Sequence, residues 1–479
     1  MSKLDLTDIQ GIILRGYGSL RGARFVVLGI RDARAAKRWL GELDIRNGET
    51  RPAESDTCVN IAFTHAGLEK LGVSPDVLAM FAAEFREGMT GSEHRRRILG
   101  DLEDSAPERW QWGGPGTAGV DVLLMLYASE DRIEAVYQSH AARFAGAGLD
   151  LIAALPTIYL PDRKEHFGFR DGIAQPLIEG LETAGRPENT VAAGEFLLGY
   201  PNAYGQYTDR PLLVPERDPR GLLPEPADGP GRRDLGRNGS YLVFRQLSQD
   251  VFRFWSALDD RTRAGNGAPD PGARDRLAAK MVGRWPSGAP LVKSPDADNP
   301  QLMDDDAFLF HGSDDPHGLK CPIGSHVRRS NPRDSLDPTP GSQESIEVGK
   351  RHRLVRRGRA YGAPIAPSMA SGDVLAAGDD ARDRGLHFIC FNTHIGRQFE
   401  FIQHTWINSP KFDGLYAEDD PLMGARGAGG TGEGGTFAVQ AAPVRTRVVG
   451  LPRFVHVRGG AYFFMPGIHA ARFLAALPS

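Results

Sequence analysis

One pattern is written into this chain twice, and it restricts the fold more than any other feature. "RFVVLGI" (24–30) is a β-branched run, and "RDARAAKRWLGEL" (31–43) follows with helix-forming composition and its apolar residues on one side. "CVNIAFT" (58–64) and "VDVLLMLYA" (120–128) read as strands. "SEDRIEAVYQSHAARFA" (129–145) opens with Ser and acids, as a helix N-terminus does, and "LDLIAALPTIYL" (149–160) supplies a fourth strand. The rhythm returns with "GSYLVFRQL" (239–247), then "SQDVFRFWSALDD" with Ser248 as its expected N-cap. "HRLVRRGRAYG" (352–362) alternates like a strand, and "LHFICFN" (386–392) precedes the predicted helix "IGRQFEFIQHTWIN" (395–408). "RFVHVRGGAYFFMP" (453–466) reads as a hairpin turning at Gly459 and Gly460. Strand, helix, two strands, helix, strand is the ferredoxin-like plan, an antiparallel sheet with helices packed on it. The expected fold class is therefore α+β, with two ferredoxin-like domains over residues 1–225 and 226–479.

Such a chain is long enough, at 479 residues, for each half to bury its own core. The bridge over 177–238, centred on "PERDPRGLLPEPADGPGRRD", is rich in Pro, Gly and charge, and predicts a surface loop or linker outside the core. A net charge of −4 gives no reason to expect nucleic acid or an anionic membrane as partner. Cys58, Cys321 and Cys390 are widely spaced and odd in number, which supplies neither a disulfide framework nor a CxxC metal knot and suits a reducing interior. No apolar run matches a signal h-region or a membrane span, so a cytoplasmic location is expected. The loop "GARGAGGTGEGGT" (424–436) is glycine-rich but lacks the Lys-Ser/Thr ending of a phosphate cradle and reads as flexible loop.

Three residues could carry chemistry. His326, in "CPIGSHVRRSNPR" (321–333), has no His or Cys partner at zinc-ligand spacing, but a single axial histidine is what a haem iron needs. Arg328, Arg329 and Arg333 beside it would suit haem propionates, because guanidinium pairs with carboxylate in bidentate fashion. The same histidine also reads as a solvated loop residue. Asp171 stands in "HFGFRDGIAQP" (166–176), where Gly168 and Gly172 free the backbone to aim the acid into a cavity; alternatively it caps its own turn. Buried among apolar groups, such a carboxyl can exchange protons with a small substrate. Arg356 and Arg357 are neighbours on a predicted strand and so face opposite sides of the sheet. One of them must look inward toward an anion or lie at a strand end.

Together these stretches resemble a family. "DIQGIILRGYG" (8–18), "FREGM" (85–89), "GFRDG" (168–172), "CPIGSHVRRSNPR", "HRLVRRGRAYG", "CFNTHIGRQFEFIQHTWINSPKF" (390–412) and "DDPLMG" (419–424) occur in the order seen in the larger, bacterial and fungal-like dye-decolorizing peroxidases, whose signature GxxDG is matched at 168–172. The resemblance implies haem b, one per chain, with His326 as axial ligand of the iron and Arg329, Phe399 and Phe401 around the cofactor. It makes Asp171 the distal acid and Arg356 the distal arginine. Hydrogen peroxide would oxidise the haem to a ferryl state that organic donors, dyes or phenols, reduce in one-electron steps. Asp419 and Asp420 are conceivable hydrogen-bond partners of the histidine, and His166 and His352 take structural roles by default. Trp110 and Trp112 could relay electrons from bulky donors or simply pack. A monomer or homodimer is expected. The competing readings are a non-catalytic haem or porphyrin carrier, which needs no aimed acid or cation, and a chlorite-dismutase-like oxidoreductase, which the GFRDG acid disfavours.

Overall fold

The first set of strands, β1 (Gly22–Ile30), β2 (Cys58–Phe63), β3 (Val122–Ala128) and β4 (Leu149–Pro156), lies in the order β4-β1-β3-β2, antiparallel throughout. The second set is β5 (Ser240–Gln249), β6 (Val355–Arg356), β7 (Arg359–Tyr361), β8 (Gly385–Asn392) and β9 (Val455–Met465). It repeats that order as β9-β5-β8-β6, with β7 also paired to β8. Where β9 meets β2, through Phe464 and Phe63, the two halves join edge to edge into one nine-stranded sheet. The computed structural model describes residues 3–181, 185–425 and 434–478; most of the glycine-rich loop, residues 426–433, lies outside them.

Alternate residues of β1 enter two different cores. Val26 and Leu28 pack with Trp39 and Leu40 of α1 (Ala33–Gly41), Tyr137 and Phe144 of α2 (Ile133–Phe144) and Phe254, Trp255 and Leu258 of α3 (Val251–Thr262). Phe25 and Val27 face the other way, onto Ile9, Ile12 and Leu14 of the N-terminal segment and Phe196, Leu197 and Tyr200 of the bridge. Both faces are therefore dry, which is why the strands read as nearly continuous apolar runs.

Several local expectations are corrected. The bridge is not wholly outside the core: its centre, 215–234, is mostly exposed, but Phe196 and Leu197 are fully buried, covering together with the N-terminal segment the sheet face opposite α1, α2 and α3. The 453–466 stretch is one strand with a bulge between Val457 and Gly459. Neither Gly459 nor Gly460 has positive φ; a Cβ on Gly459 would stand 2.4 Å from Nε1 of Trp112, so glycine is there for close packing rather than for a turn. Ser248 stays within β5, and α3 is capped by Asp250, whose carboxylate accepts from the Arg253 amide at 3.1 Å. The 352–362 strand is broken into β6 and β7, and the 395–408 segment forms two stretches of π-helix, Gly396–Glu400 and Ile402–Ile407.

Candidate active site

The second half of the sheet turns one row of side chains into a cavity of about 270 Å³. Arg245, Leu247 and Gln249 alternate along β5, and Leu386 and Phe388 along β8; Phe399 and Ile402 of the π-helical segment close another wall. His326 enters at the start of α4 (His326–Ser330). Its Nδ1 lies 2.9 Å from Oδ2 of Asp420, a fully buried carboxylate whose Oδ1 accepts from the amides of Leu422 and Met423 at 2.8 Å each. Burial disfavours the charged form of both partners, yet their pairing outweighs it. Asp420 is held below the usual carboxylate range and His326 above the usual imidazole value. An ionised carboxylate only accepts, so Nδ1 donates.

Asp171 and Arg356 border the same cavity. The backbone of 168–172 can carry the acid because Gly168 (φ 92°) and Gly172 (φ 76°) take left-handed conformations, and a Cβ on Gly168 would collide with the carbonyl of Met369 at 2.6 Å. Oδ1 of Asp171 accepts from the Gly172 amide at 2.6 Å and from Nη1 of Arg356 at 3.3 Å. Oε1 of Gln175, at the far end of the loop, accepts from the Arg356 amide at 3.1 Å, so β6 holds the loop at two points. Arg357 points to the opposite side, where its guanidinium donates to the carbonyls of Ile12 and Ile13. An acid paired to a cation and a histidine paired to an acid thus open on one space, close enough for the fields of Asp171 and Arg356 to reach His326.

No family model matches the chain. A dye-decolorizing peroxidase of Exidia glandulosa is 31% identical over 98% of this chain and 87% of that protein. The chain belongs to the dye-decolorizing peroxidase family. Peroxidase 2 of Mycetinis scorodonius is 30% identical over the same shares of the two chains. A solved DyP-type peroxidase of Auricularia auricula-judae superposes with a TM-score of 0.77 at 26% identity, covering 99% of this chain and 100% of that one. A dye-decolorizing peroxidase solved with 2,6-dimethoxyphenol gives 0.76 at 27%, with the same coverage. Dye-decolorizing peroxidases are haem enzymes, which use hydrogen peroxide to oxidise dyes and phenols.

In this dye-decolorizing peroxidase the residues expected around the cofactor do not all meet. Phe399 lines the cavity, but Phe401, two positions on and therefore on the far side of the helix, stacks on His352 with centroids 4.2 Å apart. Arg329 is fully buried away from the cavity, donating to the carbonyls of Gly324, Trp406, Ser409 and Glu418. Arg328 and Arg333 are likewise spent on Asp315, Asp306 and nearby carbonyls. Their sequence neighbourhood to His326 is misleading because each guanidinium is bonded to internal carbonyls or carboxylates and none lines the cavity. His166 and His352 donate to the backbone carbonyls of Tyr361 and Arg397 and are pushed down to about 4 by burial; Trp110 and Trp112 are buried, the indole nitrogen of Trp110 donating to the Ser105 carbonyl and that of Trp112 to Oε1 of Gln246 on β5.

Other residues take the places that sequence reading left empty. Arg353 lines the cavity, is 9% exposed, and has a buried Nη2 with no hydrogen-bond partner; burial pushes it down to about 10. Nη1 of Arg245 and Nδ2 of Asn331, also on the cavity, are buried without partners too. Three unsatisfied donors around one space fit a ligand that brings acceptors, as the carboxylates of a haem do. Glu165 lines the wall beside them, accepting from the amides of Phe167 and Phe169 and from Gln249 at 2.7 to 3.0 Å. Arg245 and Gln249, polar residues on one face of β5 with Leu247 between them, were the available signal.

Proposed function

We propose that this peroxidase holds haem b in the cavity, where Nε2 of His326 would bind the iron, Arg353 would pair with a propionate, and Asp171 and Arg356 would meet the peroxide. The observation that carries this reading is that two pairs, His326 with Asp420 and Asp171 with Arg356, border one largely apolar cavity. The division into units 1–225 and 226–479 matches the two sets of strands, and the site lies in the second unit except for residues 165–174.

Haem, when bound, supplies the two-electron reduction of peroxide and the later one-electron oxidations of the donor. The chain supplies position and protons. Asp420 fixes the histidine tautomer and ring orientation and raises the donor strength of Nε2. Oδ1 of Asp171 is engaged by Arg356 and Gly172, so Oδ2 meets hydrogen peroxide, takes its proton and returns it to the departing oxygen as water forms. The Arg356 guanidinium stabilises the negative charge that develops as the O–O bond breaks. Phe399, Leu386 and Phe388 keep the space apolar, which strengthens both interactions.

An absorption titration tests the reading. The haem-loaded chain shows a Soret band that one equivalent of hydrogen peroxide alters and a phenol donor such as 2,6-dimethoxyphenol restores. A band that peroxide only bleaches, with no donor oxidised, would identify a haem carrier instead.

A further inference from the structure

Around the GFRDG loop stands an outer layer of charge that the chemistry above does not use. Asp162 and Arg163 both take left-handed backbone conformations, φ 57° each, which residues with a side chain keep only where their surroundings hold them. The Arg163 carbonyl accepts from the Asp171 amide at 2.9 Å, and its Nη2 donates to the Gly172 carbonyl at 3.3 Å, so this strained residue grips the acid from both sides of its backbone. Arg170, the residue before the acid, donates from Nη1 to the Asp162 carbonyl at 3.0 Å. Both arginines then converge on one carboxylate from a distant segment. Asp304 accepts from Nε and Nη2 of Arg170 at 3.1 and 2.9 Å, a two-pronged contact, and from Nη1 of Arg163 at 3.5 Å. Arg170 is 12% exposed and Asp304 56%.

We propose that Asp304 is a positioning residue for the peroxide reaction: with Arg170 and Arg163 it forms a latch that fixes the Asp171 carboxyl over the cavity. This rests on the reading of Asp171 as the acid. A guanidinium held by two parallel bonds sets direction as well as distance, where a single bond would let the loop swing. Without Asp304 the two guanidiniums would stand beside Asp171 with no counter-charge and draw its carboxylate away from Arg356. Because the carboxylate of the latch is open to solvent, salt screens it.

The test uses the full haem-loaded chain as wild type, Asp304→Ala and Asp304→Glu. Peptide-level hydrogen exchange over residues 165–174 and the second-order rate of the Soret change with peroxide are read together with the KM for 2,6-dimethoxyphenol. In Asp304→Ala the loop exchanges faster, the peroxide rate falls to roughly a tenth or a hundredth, and the phenol KM is unchanged. Asp304→Glu, which keeps the carboxylate, recovers most of both. Unchanged loop exchange in the Ala variant, an unchanged peroxide rate, or a Glu variant as slow as Ala would each overturn the latch. Should the Ala variant not take up haem, salt raised to about 1 M, where the Debye length is about 3 Å, must loosen loop exchange in the wild type; exchange indifferent to salt overturns the proposal. Full peroxide activity in Asp171→Asn would instead sink the role of the acid, while the exchange experiment still reports on the latch.

Discussion

Replacing Glu165 by Gln separates two costs that this half-buried acid on the cavity wall imposes on the fold. Its carboxyl opens only on the cavity, and burial, reinforced by the charge of Asp171, pushes its pKa up to about 7 from an ordinary 4.5, although Phe167, Gln249 and Phe169 all donate to it. Each pKa unit is worth about 1.4 kcal/mol. An acid whose folded value is raised binds its proton more tightly in the fold than in the unfolded chain. Stability is therefore highest below about pH 4.5 and declines as pH rises to about 7, by roughly 3 kcal/mol for this group alone. Gln abolishes that decline. It also adds a loss independent of pH, about 1–3 kcal/mol, because its NH₂ must face a donor where the carboxylate offered acceptors to three. Urea unfolding of both proteins across about pH 4.5 to 8 reads the two effects separately: Gln is the less stable at low pH, and the gap narrows or reverses as pH rises. A carboxylic-acid C=O band near pH 6, present in the wild type and absent from the variant, locates the proton directly. A gap that does not change with pH would refute the account of Glu165 as a proton-holding acid of the cavity wall.

Other outcomes follow from the same geometry. Asp171→Asn and Arg356→Leu keep the Soret band and lose peroxide turnover by about 10²–10⁴-fold, read by stopped-flow absorption. His326→Ala loses haem or its normal axial spectrum. Asp420→Ala, which strands the His326 N–H and two backbone amides, weakens haem retention by about 10–100-fold in transfer to a competing apoprotein. His166, His352, His387 and His456 are each held near 4 by burial, and so stay neutral while the unfolded chain protonates. Their contribution is full above about pH 6.5 and is lost as pH falls toward 4. His387→Gln lowers proton uptake on unfolding near pH 5 by about one, measured by calorimetry in buffers of different ionisation heat.

Strand and helix order were legible because a side chain's polarity and branching act locally, and the period of burial is set within each element. The doubled pattern in the sequence predicted two ferredoxin-like halves, and the structure has two such sets of strands, ordered β4-β1-β3-β2 and β9-β5-β8-β6. GFRDG was legible as an aimed acid because only glycines on either side permit its backbone. The sequence could not show which residues meet across the chain. Asp419 and Asp420 are equivalent in sequence, and the tertiary fold alone brings Asp420 to His326. Arg329 and Phe401, adjacent to residues of the site, face away from it, while Arg353, just before β6, and Glu165, just before the GFRDG loop, reach it. Likewise the bridge looked like a linker by composition, yet its Phe196 and Leu197 seal the second face of the sheet. Local physics determines what an element is; the direction of each side chain, and what it meets there, depends on the packing of segments far apart in sequence.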